Sequence, residues 1–227
     1  MAPAKTPTTQ LPLHLPLEAA RDREDLVVSD ANRRAVTFLD AWPGWPGPLT
    51  VLAGPVGCGK THLAQVWSAR AGAEFMTLSS GSEPVSEPGG AVVVEDLAQG
   101  SFNEASLFHL INSVLASGTS LLLTSRAWPG DWGISLADLQ SRMKLVTLLE
   151  IAEPDDALLK GVLVKLFADR QLIVDPAVVD YLTHRMERSL SAAQKMVAVM
   201  DRLSLASKRG VTKPLAAEAL RELGLQD

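Results

Sequence analysis

The segment 54–61, Gly-Pro-Val-Gly-Cys-Gly-Lys-Thr, combines residue types that can hold a chain of phosphates. Its glycines let the backbone turn tightly and direct successive N–H groups toward an anion. Lys60 can reach the outer phosphates, and the hydroxyl of Thr61 can hold Mg²⁺. An apolar run, 49–53, leads into the segment, and the helix predicted after it adds the positive end of its dipole. The pattern predicts a P-loop that binds a nucleotide, with a purely structural glycine turn as the alternative.

The predicted phosphate-binding residues lie in this loop and at the start of the following helix: Gly54, Gly57, Cys58, Gly59, Lys60, Thr61 and His62. Cys58 is the only cysteine of the chain, so an internal disulfide is excluded and a reducing, cytoplasmic location is expected. We interpret Cys58 as a small filler residue of the loop, with redox sensing as the alternative.

Two further groups of polar residues follow predicted strands. Glu95 and Asp96 come directly after the β-branched run 91–94, where P-loop hydrolases place carboxylates that hold Mg²⁺ and orient the attacking water. Thr124 and Ser125 end the next apolar run, where a hydroxyl can sense the terminal phosphate. The alternative for the acidic pair is a polar strand end exposed to solvent.

Strands and helices alternate in the first two thirds of the chain, and the strands are apolar throughout. This pattern predicts an α/β fold, a parallel sheet with helices on both faces. The predicted strands are 49–53, 75–78, 91–94, 120–124 and 145–149, and the predicted helices lie within 30–39, 62–71 and 105–115. After residue 153 only helices are predicted, over 155–170, 176–186, 190–208 and 213–223. We therefore expect domains at 23–151 and 152–227, the second a small all-helical lid.

Composition and charge disfavour several classes of function. The net charge of −5 and the pI of about 5.4 disfavour autonomous DNA binding. No apolar run reaches the ~20 residues that cross a bilayer, so no membrane partner is expected. The four histidines and the single cysteine are scattered, and the sequence has no cluster typical of a zinc site.

Residues 1–22 differ in composition from the rest, and we expect a flexible N-terminal tail. Within it, Gln-Leu-Pro-Leu-His-Leu-Pro-Leu at 10–17 alternates leucine with other residues, so an extended conformation would place the leucines on one side. The two prolines oppose a helix. The segment is therefore expected to dock on an apolar surface, of its own domain, of a second copy or of a partner.

The order of these motifs resembles that of AAA+ ATPases, and in detail that of the bacterial DnaA/Hda group. Arg142, in 139–144, falls at the position of the group's arginine finger. Arg188, in Arg-Ser-Leu-Ser-Ala-Ala at 188–193, matches its sensor 2 arginine. Val27 and Val28 are similar to the segment that encloses the adenine. The resemblance covers residue 23 onward and implies that ADP or ATP binds with Mg²⁺ and that Arg142 reaches a neighbouring subunit. A homo-oligomer would supply such a neighbouring subunit.

The tail is similar to a motif of the same group that docks on the β sliding clamp, through Gln10, Leu11, Leu13 and Leu15. The initiator DnaA continues after its lid into a helix-turn-helix domain, for which we find no counterpart in this sequence. Both features favour the Hda branch, which inactivates DnaA. The resemblance thus implies DnaA and the clamp as partners, with DNA reached only through the clamp.

Glu95 stands where relatives have the magnesium aspartate, and Asp96 where many have a catalytic glutamate, so weak intrinsic ATPase activity is expected. Two other classes stay open. One is an adaptor that ADP stabilises and that has negligible turnover, and the other is a helicase-loader type of AAA+ protein, which would not explain the tail.

Overall fold

Five parallel strands form one sheet in the order β2-β3-β4-β1-β5. The computed structural model describes residues 23–78, 90–98 and 100–225. The strands are β1 (Leu49–Ala53), β2 (Glu74–Met76), β3 (Val92–Leu97), β4 (Leu121–Ser125) and β5 (Thr147–Glu150). The helices are α1 (Arg33–Asp40), α2 (Lys60–Ala71), α3 (Glu104–Ser117), α4 (Ala137–Met143), α5 (Asp156–Asp169), α6 (Pro176–Thr183), α7 (Leu190–Ser207) and α8 (Lys213–Glu222).

Helices cover both faces of the sheet, as the apolar strands predict. Successive strand residues point to opposite faces, so Val51 packs with α3 and α4 while Leu52 packs with α1 and α2. Both side chains are fully buried. The predicted α/β class is therefore confirmed. The order of the strands also places the carboxyl ends of β3 and β4 beside that of β1, where the loop 54–59 begins.

Helices α5 to α8 share a hydrophobic cluster of their own, as expected for a lid. Helix α7 contributes buried Ala193, Val197 and Met200 to this cluster. Asp175 caps α6 by accepting a hydrogen bond from the N–H of Ala177, and Pro176 occupies the first turn.

Several predicted boundaries were wrong. Helix α1, predicted within 30–39, begins at Arg33 with Asn32 as its N-cap residue, and the carboxylate of Asp30 pairs with Arg33 at 2.9 Å. Strand β3 continues to Leu97, three residues beyond the predicted end, through an irregularity in its register with β4. Helix α4 was not predicted, because seven residues with two buried apolar side chains give too short a pattern.

Within the described ranges, no helix is both long and apolar enough to cross a bilayer.

Candidate nucleotide-binding site

The loop between β1 and α2 has the backbone that its glycines predict. Gly57 has a φ of 75° and Gly59 a φ of 106°, values that side-chain-bearing residues rarely adopt. Gly59 is also the N-cap residue of α2, whose helical residues begin at Lys60. The positive end of a twelve-residue helix therefore meets a glycine-lined turn, an arrangement suited to phosphate oxygens.

The ammonium group of Lys60 lies inside this loop. Its Nζ donates hydrogen bonds of 2.7 Å to the carbonyl oxygens of Gly54 and Pro55, and the residue is only 8% exposed. A buried cation needs such partners, and carbonyl oxygens give it only partial negative charge. A phosphate group in the loop would offer Lys60 a stronger partner.

Three other residues of the loop region have distinct surroundings. Cys58 is 1% exposed, and burial raises the pKa of its thiol although Lys60 lies nearby, so the neutral, unreactive thiol is favoured. Burial also lowers the pKa of His62, with Lys165 acting in the same direction, so its imidazole stays neutral. Thr61 is exposed in the first turn of α2.

The start of lid helix α7 lies directly on the loop. The N–H of Leu190 donates to the carbonyl oxygen of Gly57 at 2.8 Å. A Cβ atom placed on Gly57 would lie 2.0 Å from the Oγ of Ser189, closer than atoms can approach. Position 57 therefore requires glycine for two reasons: the positive φ of the loop and the close approach of the lid.

Glu95 lies on the same sheet face as Val93, because alternate strand residues share a face. That face is the one covered by α2 and by Cys58 of the loop. The Oε1 atom of Glu95 is buried and has no hydrogen-bond partner among the described residues. A buried carboxylate oxygen without a partner is unfavourable unless a cation or water meets it.

Glu95 therefore fits a Mg²⁺ ligand, with Thr61 as the hydroxyl ligand. The described part of the chain has no group of three or more His, Cys, Asp or Glu side chains that could hold a metal alone. This agrees with a site in which phosphate oxygens and water supply most of the ligands, as Mg²⁺ prefers.

Asp96 has its partners on β4 and directly after that strand. Its φ is 54°, and its N–H donates to the Oγ1 of Thr124 at 2.9 Å. Its carboxylate is held by both arms of Arg126: Nε donates to Oδ1 at 3.0 Å and Nη2 to Oδ2 at 2.7 Å. The two carboxylates predicted to act together thus have different partners.

The hydroxyl of Ser125 serves the structure of the sheet. It donates to the carbonyl oxygen of Leu97 at 2.6 Å and accepts from the indole N–H of Trp132 at 3.0 Å. It also accepts the N–H of Ala127 at 3.1 Å. With these bonds made, Ser125 is fully buried and fixes the irregular end of β3 against β4.

The segment before α1 lies against lid helix α5. A Cβ atom on Gly161 would lie 2.7 Å from Cγ1 of Val27, and Asp25 pairs with Lys165 at 2.8 Å. Val28 is 37% exposed. Val27 and Val28 are therefore placed between the sheet domain and the lid, where the resemblance expects the adenine.

Arg188 lies just before α7 and is paired within the lid. Its Nη2 lies 2.5 Å from the Oδ1 of Asp156, and its Nε donates to the carbonyl oxygen of Pro154 at 3.4 Å. Contact with a nucleotide would require the guanidinium to exchange this partner for a phosphate.

Arg142 lies near the end of α4, which packs on the sheet domain through Leu139 and Met143. Its half-buried guanidinium has no ion pair or side-chain hydrogen bond within residues 23–78, 90–98 and 100–225. Glu104 holds the start of α4, because its carboxylate accepts the N–H groups of Ser135 and Leu136. Gln10, Leu11, Leu13 and Leu15 lie outside the described residues.

Residues 159–220 match the family model described as "Hda, lid domain". The whole fold is similar to that of domain III of the replication initiation protein DnaA from Thermotoga maritima, with a TM-score of 0.75 and 17% identity over 92% of this chain and 98% of that one. The lid region is thus similar to the Hda lid, and the fold of the chain is that of AAA+ proteins such as DnaA. AMPPCP-bound DnaA from Aquifex aeolicus is also similar, with a TM-score of 0.63 and 18% identity over 80% of this chain and 64% of that one.

The fold is also similar to that of a motor protein of the AAA+ class. The Holliday junction branch migration motor RuvB from Thermotoga maritima has a TM-score of 0.65 and 16% identity, over 87% of this chain and 71% of that one. No curated protein sequence matches the chain significantly.

The sequence analysis missed two contacts at the candidate site. Arg126 directly follows Thr124 and Ser125 in the sequence, but only the folded sheet brings it to Asp96. The contact of Ser189 and Leu190 with Gly57 joins segments 132 residues apart, and no local pattern signals it.

Proposed function

We propose that this chain, a DnaA-related regulator of replication by its lid family and its fold, binds ADP or ATP with Mg²⁺ and stimulates hydrolysis of the ATP held by DnaA. The match of residues 159–220 to the Hda lid carries the proposal. In this proposal Gly54, Gly57, Cys58, Gly59, Lys60, Thr61 and His62 surround the phosphates and Val27 and Val28 the adenine. Thr61 and Glu95 hold Mg²⁺, which supplies positive charge to the phosphates when bound.

Arg142 is the residue proposed to act on the partner. The absence of an ion pair for its guanidinium within the described ranges leaves it available to a neighbouring molecule. A guanidinium aimed at a γ-phosphate stabilises the charge that develops as the bond to ADP breaks, and arginine fingers contribute about 10³–10⁵ in rate. Glu104 would position this group by fixing the start of α4.

Arg188 would sense which nucleotide is bound. Its pairing with Asp156 holds it on the lid, close to where α7 meets Gly57. Exchange of Asp156 for a phosphate would alter how the lid sits on the P-loop, so the nucleotide would control the surface offered to DnaA.

The tail is proposed to join the protein to the β sliding clamp through Gln10, Leu11, Leu13 and Leu15. An extended peptide of this type docks with alternate side chains in apolar pockets. Tethering to a clamp on DNA raises the local concentration near DnaA without a strong direct interface. The net charge of −5 agrees with contact to DNA through the clamp.

Reconstitution tests the proposal. DnaA loaded with radiolabelled ATP is mixed with clamp-loaded DNA and the ADP-bound chain, and conversion to labelled ADP is followed. We expect fast conversion only with all components present. The double variant Gln10→Ala/Leu13→Ala is expected to lose clamp binding and with it the fast conversion, whereas the matched tail variant Thr6→Ala/Thr9→Ala retains both. Conversion that the chain does not accelerate would overturn the proposed function.

A further inference from the structure

We infer that Arg126 withholds the carboxylate of Asp96 from the water that would attack a nucleotide in this chain's own site, so that the chain retains bound ATP. The inference rests on the proposed nucleotide binding and extends it to turnover. It assigns a positioning role to an arginine outside the P-loop, the finger and the lid.

The backbone turns Asp96 away from its neighbour. Strand alternation directs Glu95 to the face covered by α2, and the register with β4 shifts between Val94 and Leu97, so alternation alone does not set the direction of Asp96. The φ of 54° at Asp96 is unusual for a residue with a side chain and persists only where the surroundings hold it.

Hydrogen bonds from β4 supply that restraint. Thr124 accepts the N–H of Asp96, and Ser125 donates to the carbonyl oxygen of Leu97 one residue later. Both hydroxyl-bearing residues are buried, at 2% and 0% exposure. The backbone on either side of the Asp96 carboxylate is therefore fixed by the adjacent strand.

Arg126 then engages the whole carboxylate. Its fork meets both oxygens, at 3.0 and 2.7 Å, in the bidentate geometry that gives the strongest ion pairs of this type. Both oxygens already accept a hydrogen bond from a cation, so orienting a water would require one of these bonds to break. The side chains of Arg126 and Asp96 are 58% and 54% exposed, so water screens their ion pair and breaking it costs little free energy.

In hydrolysis, the water oxygen forms a bond to the γ-phosphorus as the bond from phosphorus to the bridging oxygen breaks. The bridging oxygen leaves with the electron pair as part of ADP, and one proton of the water passes to an acceptor. With Asp96 held by Arg126, the acceptor that the acidic pair would supply is missing, and the step is slow.

Single-turnover hydrolysis of bound, radiolabelled ATP by the full chain tests the inference, with ATP affinity measured in parallel. Arg126→Ala is expected to raise the rate roughly fivefold, the effect of freeing an exposed ion pair, with unchanged affinity. Adding Asp96→Asn to this variant should remove the gain, and Asp96→Asn alone should change little. The control Arg202→Ala removes an arginine from an exposed carboxylate pair in the lid and should leave the rate unchanged.

Other results would overturn the inference. A lower rate and weaker ATP binding in Arg126→Ala would mean that Arg126 contacts the phosphates. A large loss of rate in Asp96→Asn alone would mean that Asp96 already activates water in the native protein. Arg126→Gln gives the same comparison if the alanine variant does not fold. Failure of the native chain to bind ATP would refute the proposed function itself, a separate outcome that the affinity measurement identifies.

Discussion

The N–H of Leu190 donates a 2.8 Å hydrogen bond to the carbonyl oxygen of Gly57, which joins the first turn of the lid helix α7 to the P-loop. The contact involves main-chain atoms only, so it depends on how the two segments approach and not on a particular side chain. Because Gly57 has no Cβ, Ser189 can lie directly against it. The conformation of the P-loop and the position of the lid are thereby physically linked.

Gly57→Ala tests this link. The added Cβ would meet the Oγ of Ser189 at 2.0 Å on a backbone with a φ of 75°, so both strain and a clash are expected. The control Gly72→Ala has a φ of 60° but open space around the added atom. We expect a loss of about 1 kcal/mol in unfolding free energy for the control and a larger loss for Gly57→Ala. Chemical denaturation measures both, and equal losses would argue against the lid contact.

Glu104 is expected to make α4 sensitive to acid. Hydrogen bonds from the N–H groups of Ser135 and Leu136 lower the pKa of its carboxyl below the ordinary value of 4.5. Since the folded pKa is depressed, the stabilisation is present above the unfolded pKa and is lost as the pH falls through the folded value.

Glu104→Gln should therefore remove about 1 kcal/mol of unfolding free energy near neutral pH, with a smaller difference in acid. The control Glu218→Gln alters an exposed carboxylate on α8 for which the described residues offer no hydrogen bond. Denaturation at pH 7 and pH 3.5 separates the two variants. A difference from the native protein that does not shrink in acid would contradict the role of the charged carboxylate.

Arg142→Ala is expected to keep ADP affinity and stability while losing stimulation of ATP hydrolysis on DnaA by about 10³-fold or more. Arg142→Lys keeps the charge without the planar fork and should recover only a part of the stimulation. The assay is the conversion of labelled ATP on DnaA described above. Full stimulation by Arg142→Ala would assign the finger to another residue.

Local sequence patterns were sufficient to predict much of the fold. The strand β1 has the predicted bounds, and the P-loop helix α2 ends where predicted and begins two residues earlier, because strong apolar clustering and a glycine-rich loop mark them. The boundary of β3 could not be predicted, since Glu95 and Asp96 are poor strand formers that the hydroxyls of β4 hold in place.

The residues of the candidate site could be predicted from the sequence, but the contacts between them could not. Residue types at the P-loop signalled phosphate binding, but the partners of Asp96, Arg188 and Gly57 come from segments distant in the sequence. Such pairings follow from tertiary packing, for which a single sequence has no local signal.

Calorimetric titration with ADP and Mg²⁺ tests the central claim most directly, because every role proposed here requires a nucleotide between the P-loop and the lid. We predict saturable binding to the native chain and to the control Lys195→Ala, whose lysine is exposed on α7. Lys60→Ala should bind much more weakly and lose the ligand's stabilisation, about 2.7 kcal/mol at a ligand concentration of 100 Kd. No binding heat with the native chain, or unchanged affinity in Lys60→Ala, would contradict the account.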